Sequence, residues 1–127
     1  MSTKILMSVS AAVLAALGLA TLFAPLEVAS LAGLQPSTEI PLQLLAGGFF
    51  AFGMLNWMGR GAIYGGIYGR PMVMANVALG LVTSTTLVSA VLDGKLGAWA
   101  WVVAAIFGLQ TLAFGRLMFS SPKPANP

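Results

Sequence analysis

The sequence contains no cysteine and no histidine, and of its 127 residues only six are basic and three acidic. The lack of cysteine excludes disulfides, cysteine-ligated iron–sulfur clusters and thiol catalysis. The lack of histidine removes the commonest metal ligand, the usual haem ligand and the usual general base. The three carboxylates, Glu27, Glu39 and Asp93, are scattered and form no recognisable metal or glycosidase arrangement. These gaps predict a non-enzyme with no metal and no cofactor. Charged residues make up 7% of the chain, against about 25% in a typical soluble domain. A small globule has a large surface for its volume, and so few charges do not solvate it. The net charge of +3 is spread along the chain and forms no basic patch, so no nucleic-acid partner is expected.

What is abundant is apolar: 58% of residues are hydrophobic and 15 are glycine. Glycine is frequent in membrane helices because it lets backbones approach closely where no hydrophobic effect drives association. Four uncharged runs stand out, at residues 5–24, 42–59, 71–92 and 98–115. Each is long enough, at about 18–20 residues or more, to span a hydrocarbon core of about 30 Å. The first follows Lys4 and exceeds the apolar stretch of a signal peptide, roughly 7–15 residues, so it reads as a retained anchor. Pro25 ends this run, and residues 26–34 are mildly amphipathic with Gly33 placed as a C-terminal cap. That stretch is too short to span and predicts an interfacial helix. Pro41 suits the first turn of the second span and Pro71 opens the third, while Asp93, Gly94 and Lys95 form a turn. Residues 120–127 are a polar, proline-rich tail.

The fold expected is therefore all-α: one domain over residues 1–127, an integral membrane four-helix up-down bundle with a short interfacial helix in its first, outer loop. Charge orients it. Lys4, Arg60, Arg70, Arg116 and Lys123 fall on one side with no acidic residue; Glu27, Glu39, Asp93 and Lys95 fall on the other. The positive-inside rule then puts both termini in the cytoplasm. Trp99 and Trp101 lie near the outer boundary and Trp57, Tyr64 and Tyr68 near the inner one, as an aromatic belt requires.

Small residues recur at spacing four: Ala12, Ala16 and Ala20; Gly47 and Ala51, with Gly48 and Gly53 nearby; Asn76, Gly80 and Ser84; Ala100, Ala104 and Gly108. Such stripes predict close helix contacts, with the same chain or with another. Depth gives a sharper pattern. At about 1.5 Å per residue, Asn56 lies roughly 6 Å above Arg60, Asn76 about 8 Å above Pro71 and Gln110 about 9 Å above Arg116. Ser8 and Ser10 lie at about 6–9 Å above Lys4 by the same rise. A polar layer shared by all four helices is predicted: either interhelical bonding or a small polar pocket open to the cytoplasm. The hydroxyls of Thr83, Ser84, Thr85, Thr86 and Ser89 are expected to bond their own helix carbonyls, with a hydrophilic conduction path as the alternative. No ionisable residue lies inside a run, which argues against ion-coupled pumping. Arg60 and Arg70, with Tyr64 and Tyr68 in the glycine-rich connection between them, are candidates for contact with lipid headgroups or a partner.

The first run ending at Phe23-Ala24-Pro25, the amphipathic outer loop, and a second run opening on Gly47-Gly48 and closing on Asn56-Trp57 and Arg60 resemble the small, largely uncharacterised bacterial four-helix membrane proteins, DoxX-like proteins among them. The resemblance is one of architecture and implies a bacterial inner-membrane setting, without catalytic residues to carry over. The function expected is a non-catalytic accessory or scaffold subunit of a larger membrane complex, in contact with lipid and with other subunits or its own copies. The alternative is a small oligomeric protein that binds or transports a small polar or lipid-like ligand.

The absence of cysteine makes the orientation directly testable. In intact cells a membrane-impermeant maleimide should label Ser37→Cys and leave Ser121→Cys unlabelled until the membrane is opened. The reverse pattern would invert the assigned topology.

Overall fold

A computed structural model describes residues 3–35, 38–61 and 69–119. Five helices follow in order: α1, Thr3–Phe23; α2, Pro25–Ala32; α3, Glu39–Met58; α4, Gly69–Leu92; and α5, Trp99–Met118. The described residues contain helices and turns only. Four of the helices, all but α2, are long and apolar enough to cross a membrane. The 20 residues of α3 and of α5 correspond to about 30 Å of rise. The second and fourth spans run a few residues past their expected bounds: α3 starts at Glu39 rather than 42, and α5 continues to Met118 rather than 115. Glu39 is accepted because a carboxylate in a first turn complements the helix dipole, as does Arg116 in the last turn of α5.

Local chemistry sets the breaks. Only Ala24 separates α1 from α2, and Pro25 takes the first position of α2, where its missing N–H is not needed. Two helices end on glycines in the left-handed region, Gly33 at φ 73° and Gly94 at φ 74°. After α2, Leu34 N–H reaches Ala29 O at 2.8 Å and Gly33 N–H reaches Ser30 O at 3.2 Å. After α4, Lys95 N–H reaches Ala90 O at 2.9 Å and Gly94 N–H reaches Val91 O at 3.0 Å. Both are Schellman closures, which satisfy the last carbonyls of the helix.

The chain divides into two compact units, Met1–Arg60 and Gly61–Pro127. In the first, α1 and α3 pack along their length with α2 against both; in the second, α4 packs on α5. Contacts in the first unit run in opposite directions along the two helices, from Ser10 with Asn56 to Gly18 with Ala46 and Phe50, so α1 and α3 are antiparallel. The buried stripe of α1 is Met7, Ser10, Ala11, Leu14 and Gly18; that of α3 is Ala46, Phe49, Gly53 and Asn56. In the second unit Met72, Val73, Asn76 and Gly80 face Ala100, Ala104, Phe107 and Phe114.

Two of the four small-residue stripes do not face a neighbouring helix of their own unit. Ala12, Ala16 and Ala20 are exposed, as are Gly47, Gly48 and Ala51. Each true packing stripe lies one residue earlier on its helix, because it follows the larger buried side chains as well as the small ones. Gly53, Asn76, Gly80, Ala100 and Ala104 do lie in the packed faces.

Backbone proximity explains the glycines that matter. A Cβ on Gly53 would meet Ala15 N at 3.0 Å and Ala11 O at 3.1 Å. One on Gly80 would meet Phe107 O at 2.8 Å and the Thr111 hydroxyl. One on Gly108 would meet nothing. Gly80→Val should accordingly destabilise the purified protein by about 1–3 kcal/mol, the usual cost of overpacking, whereas Gly108→Ala should leave it unchanged or slightly stabler. Thermal melts of both variants in one detergent check the contrast.

Candidate functional site

Two buried amides organise the candidate site. Asn56, two residues before the end of α3, is fully buried, and its Nδ2 donates to Ser10 Oγ at 3.0 Å. Asn76, in the second turn of α4, is equally buried; its Nδ2 donates back to Met72 O at 2.9 Å. Gln110, half-buried on α5, completes the second pair: its Nε2 reaches Asn76 Oδ1 at 3.3 Å and Asn76 O at 3.4 Å. Helical spacing aims these groups. Asn56 is one turn from Gly53 and Asn76 one turn from Gly80, so each amide extends the strip where the backbones come closest.

Of the predicted polar residues, Ser10, Asn56, Asn76 and Gln110 are engaged across helices. They are joined as two pairs, one inside each unit. Ser8 is half-buried and is not part of the Asn56 pair, because two residues of helix turn it away from Ser10. Among the described residues, every buried side-chain nitrogen and oxygen has a hydrogen-bond partner. The other hydroxyls behave as expected on helices: Thr85 bonds Leu81 O at 2.7 Å, and Thr21 bonds Leu17 O at 2.7 Å. Thr111, bonded to Phe107 O at 2.9 Å, closes over Gly80 and was not singled out from the sequence. Its signal was the pairing of a hydroxyl with a glycine on a neighbouring helix, which only the register supplies.

The basic candidates lie at helix ends. Arg60 follows α3, stacks its guanidinium 3.8 Å from the centroid of the Trp57 ring and donates from Nη1 to the Trp57 carbonyl. Arg70 is exposed in the first turn of α4. Tyr64 and Tyr68 lie outside the described residues. Because α1 and α3 are antiparallel, Lys4 and Arg60 share one end of the first unit, the end at which Ser10 meets Asn56. In the second unit Arg70 and Arg116 likewise flank the Asn76–Gln110 end.

A feature absent from the sequence reading is an apolar groove of about 290 Å³ on the first unit, lined by Ala11, Ala12, Ala15, Gly53, Met54, Trp57 and Met58. Among the described residues no group of three or more His, Cys, Asp or Glu side chains is placed to hold a metal. No family model matches the sequence, and neither the curated proteins nor the solved structures provide a match.

A double-mutant cycle measures what the first pair contributes. Asn56→Leu should destabilise the protein, and its coupling to Ser10→Ala should come to about 0.6–2 kcal/mol, the range for interhelical bonds in apolar surroundings. Additive effects of the two substitutions in unfolding experiments would show that the bond carries no net stability.

Proposed function

We propose that the chain is a multi-pass inner-membrane protein of the bacterial DoxX-like kind. It acts as a non-catalytic scaffold or accessory subunit that presents helix surfaces to a membrane partner. The carrying observation is the exposed small-residue surface of the first unit. Ala12, Ala16 and Ala20 on α1 and Gly47 and Ala51 on α3 are unburied, although such stripes serve close helix contact. Each stripe sits one residue, about 100°, beyond the packing face of its helix. In antiparallel helices a turn of the same sense brings both stripes to the same side of the pair. The result is a smooth strip with little side-chain relief, the kind of surface on which another transmembrane helix packs.

Further features support the same reading. Many large apolar side chains are outward, among them Leu44 at 74%, Val82 at 63% and Leu109 at 68% exposed, a surface suited to lipid. The amides are bonded within the chain, which favours packing over solute binding. Five basic residues on the side of the termini, against one on the other, favour cytoplasmic termini.

The test is purification in a mild detergent followed by identification of the proteins or copies that accompany the chain. Ala16→Leu with Ala20→Leu should abolish a stable association by at least tenfold while leaving the melting temperature of the isolated chain unchanged. A chain that purifies alone, in one-to-one amounts with nothing, would refute the scaffold reading. A binding or transport role would instead be supported if Asn76→Leu abolished uptake of a small polar solute without unfolding the protein.

A further inference from the structure

We propose that the groove on the first unit is a site for one anionic phospholipid, with an acyl chain between α1 and α3 and the phosphate on Arg60. The inference rests on the membrane placement proposed above and adds a ligand to it. The groove floor is made at one close approach of α1 and α3, at Ala11, Ala15 and Gly53, and its walls are Ala12, Met54, Trp57 and Met58. From Gly53 to Met58 it extends about 8 Å along the helix axis. A lining of methyl, methylene, thioether and indole groups accepts a hydrocarbon chain and offers a polar solute nothing to bond. Two of its walls, Met54 and Met58, are adaptable thioether side chains, 50% and 77% exposed.

Charge selects the occupant. The groove ends at Trp57, and the guanidinium carbon of Arg60 lies over that ring, so the apolar slot leads directly to a positive group. Stacking and the bond to the Trp57 carbonyl hold the guanidinium in place, and its charge complements an anionic headgroup. Lys4 lies at the same end of α1, and that side carries no acidic residue in the sequence. The outer part of the same face, Ala16, Ala20, Gly47 and Ala51, is flat and is the part suited to a helix. The inner part is bounded by Trp57 and Met58 and suits a chain with an anionic head.

The experiment uses the full chain with Trp99→Phe and Trp101→Phe, which leaves Trp57 as the single tryptophan. It is reconstituted in phosphatidylcholine vesicles containing a minor fraction of either dibrominated phosphatidylglycerol or dibrominated phosphatidylcholine. Trp57 quenching should be about five-fold more effective for the anionic lipid, the preference a single basic contact supplies. Arg60→Gln should reduce the two lipids to equal quenching, and Ala12→Phe, which fills the groove, should do the same. Equal quenching in the parent protein, or a preference that survives both substitutions, would overturn the site. Relief of the preference by millimolar inorganic phosphate would overturn it too, by showing a free-anion site. Quenching by neither lipid would instead overturn the membrane placement itself.

Discussion

An uncompensated amide away from water costs several kcal/mol, and the rest of this structure is arranged around meeting that cost. Asn56 and Asn76 are completely buried, and each is bonded: Asn56 to Ser10 on α1, Asn76 to its own Met72 carbonyl and to Gln110 on α5. These bonds fix the rotation of each helix about its axis. With Asn56 turned to α1, Gly53 and Ala46 follow onto the same face, and with Asn76 turned to α5, Gly80 follows. A polar side chain thus selects a register that apolar packing alone would leave nearly degenerate.

Glycine converts that register into close contact. Gly18 lies against the Ala46–Phe50 backbone, Gly53 against Ala11–Ala15 and Gly80 against Phe107–Thr111. At these three places the absence of a Cβ lets backbone meet backbone, the form of association that works without a hydrophobic effect. Bonds and close approach reinforce one another: the glycines bring the helices near enough for short side chains such as Ser10 to reach across.

The charges obey a different demand. Lys4 and Arg70 sit in the first turns of α1 and α4, where the helix dipole disfavours them by about 0.3–1 kcal/mol. Glu27, Glu39 and Arg116 sit where the dipole favours them. Sidedness across a bilayer, on the proposed placement, accounts for both sets together, since a basic side chain on the translocated side is the costlier arrangement. The Arg60–Trp57 stack belongs to the same boundary: an indole and a guanidinium each have an apolar plane and a polar edge, and stacking lets both sit at an interface.

Composition and spacing by themselves determined the four long helices, the short α2 with its Gly33 closure and the turn at Gly94. Each follows from local rules: run length, proline's missing donor and glycine's freedom at positive φ. They also marked Asn56, Asn76 and Gln110, because a polar group amid apolar residues stands out at any position. Which partner each amide takes was decided only by tertiary structure, since Ser8 and Ser10 differ in the sequence by two positions and in space by more than half a turn. The same holds for the packing stripes. Spacing of four fits Ala12-Ala16-Ala20 as well as Ala11-Ala15, and the choice came from the neighbouring helix, against which Met7, Leu14 and Gly18 had to fit together. The groove ending at Trp57 and the hydroxyl of Thr111 over Gly80 are likewise products of register between different helices. Periodicity within one helix carries no information about the register of another.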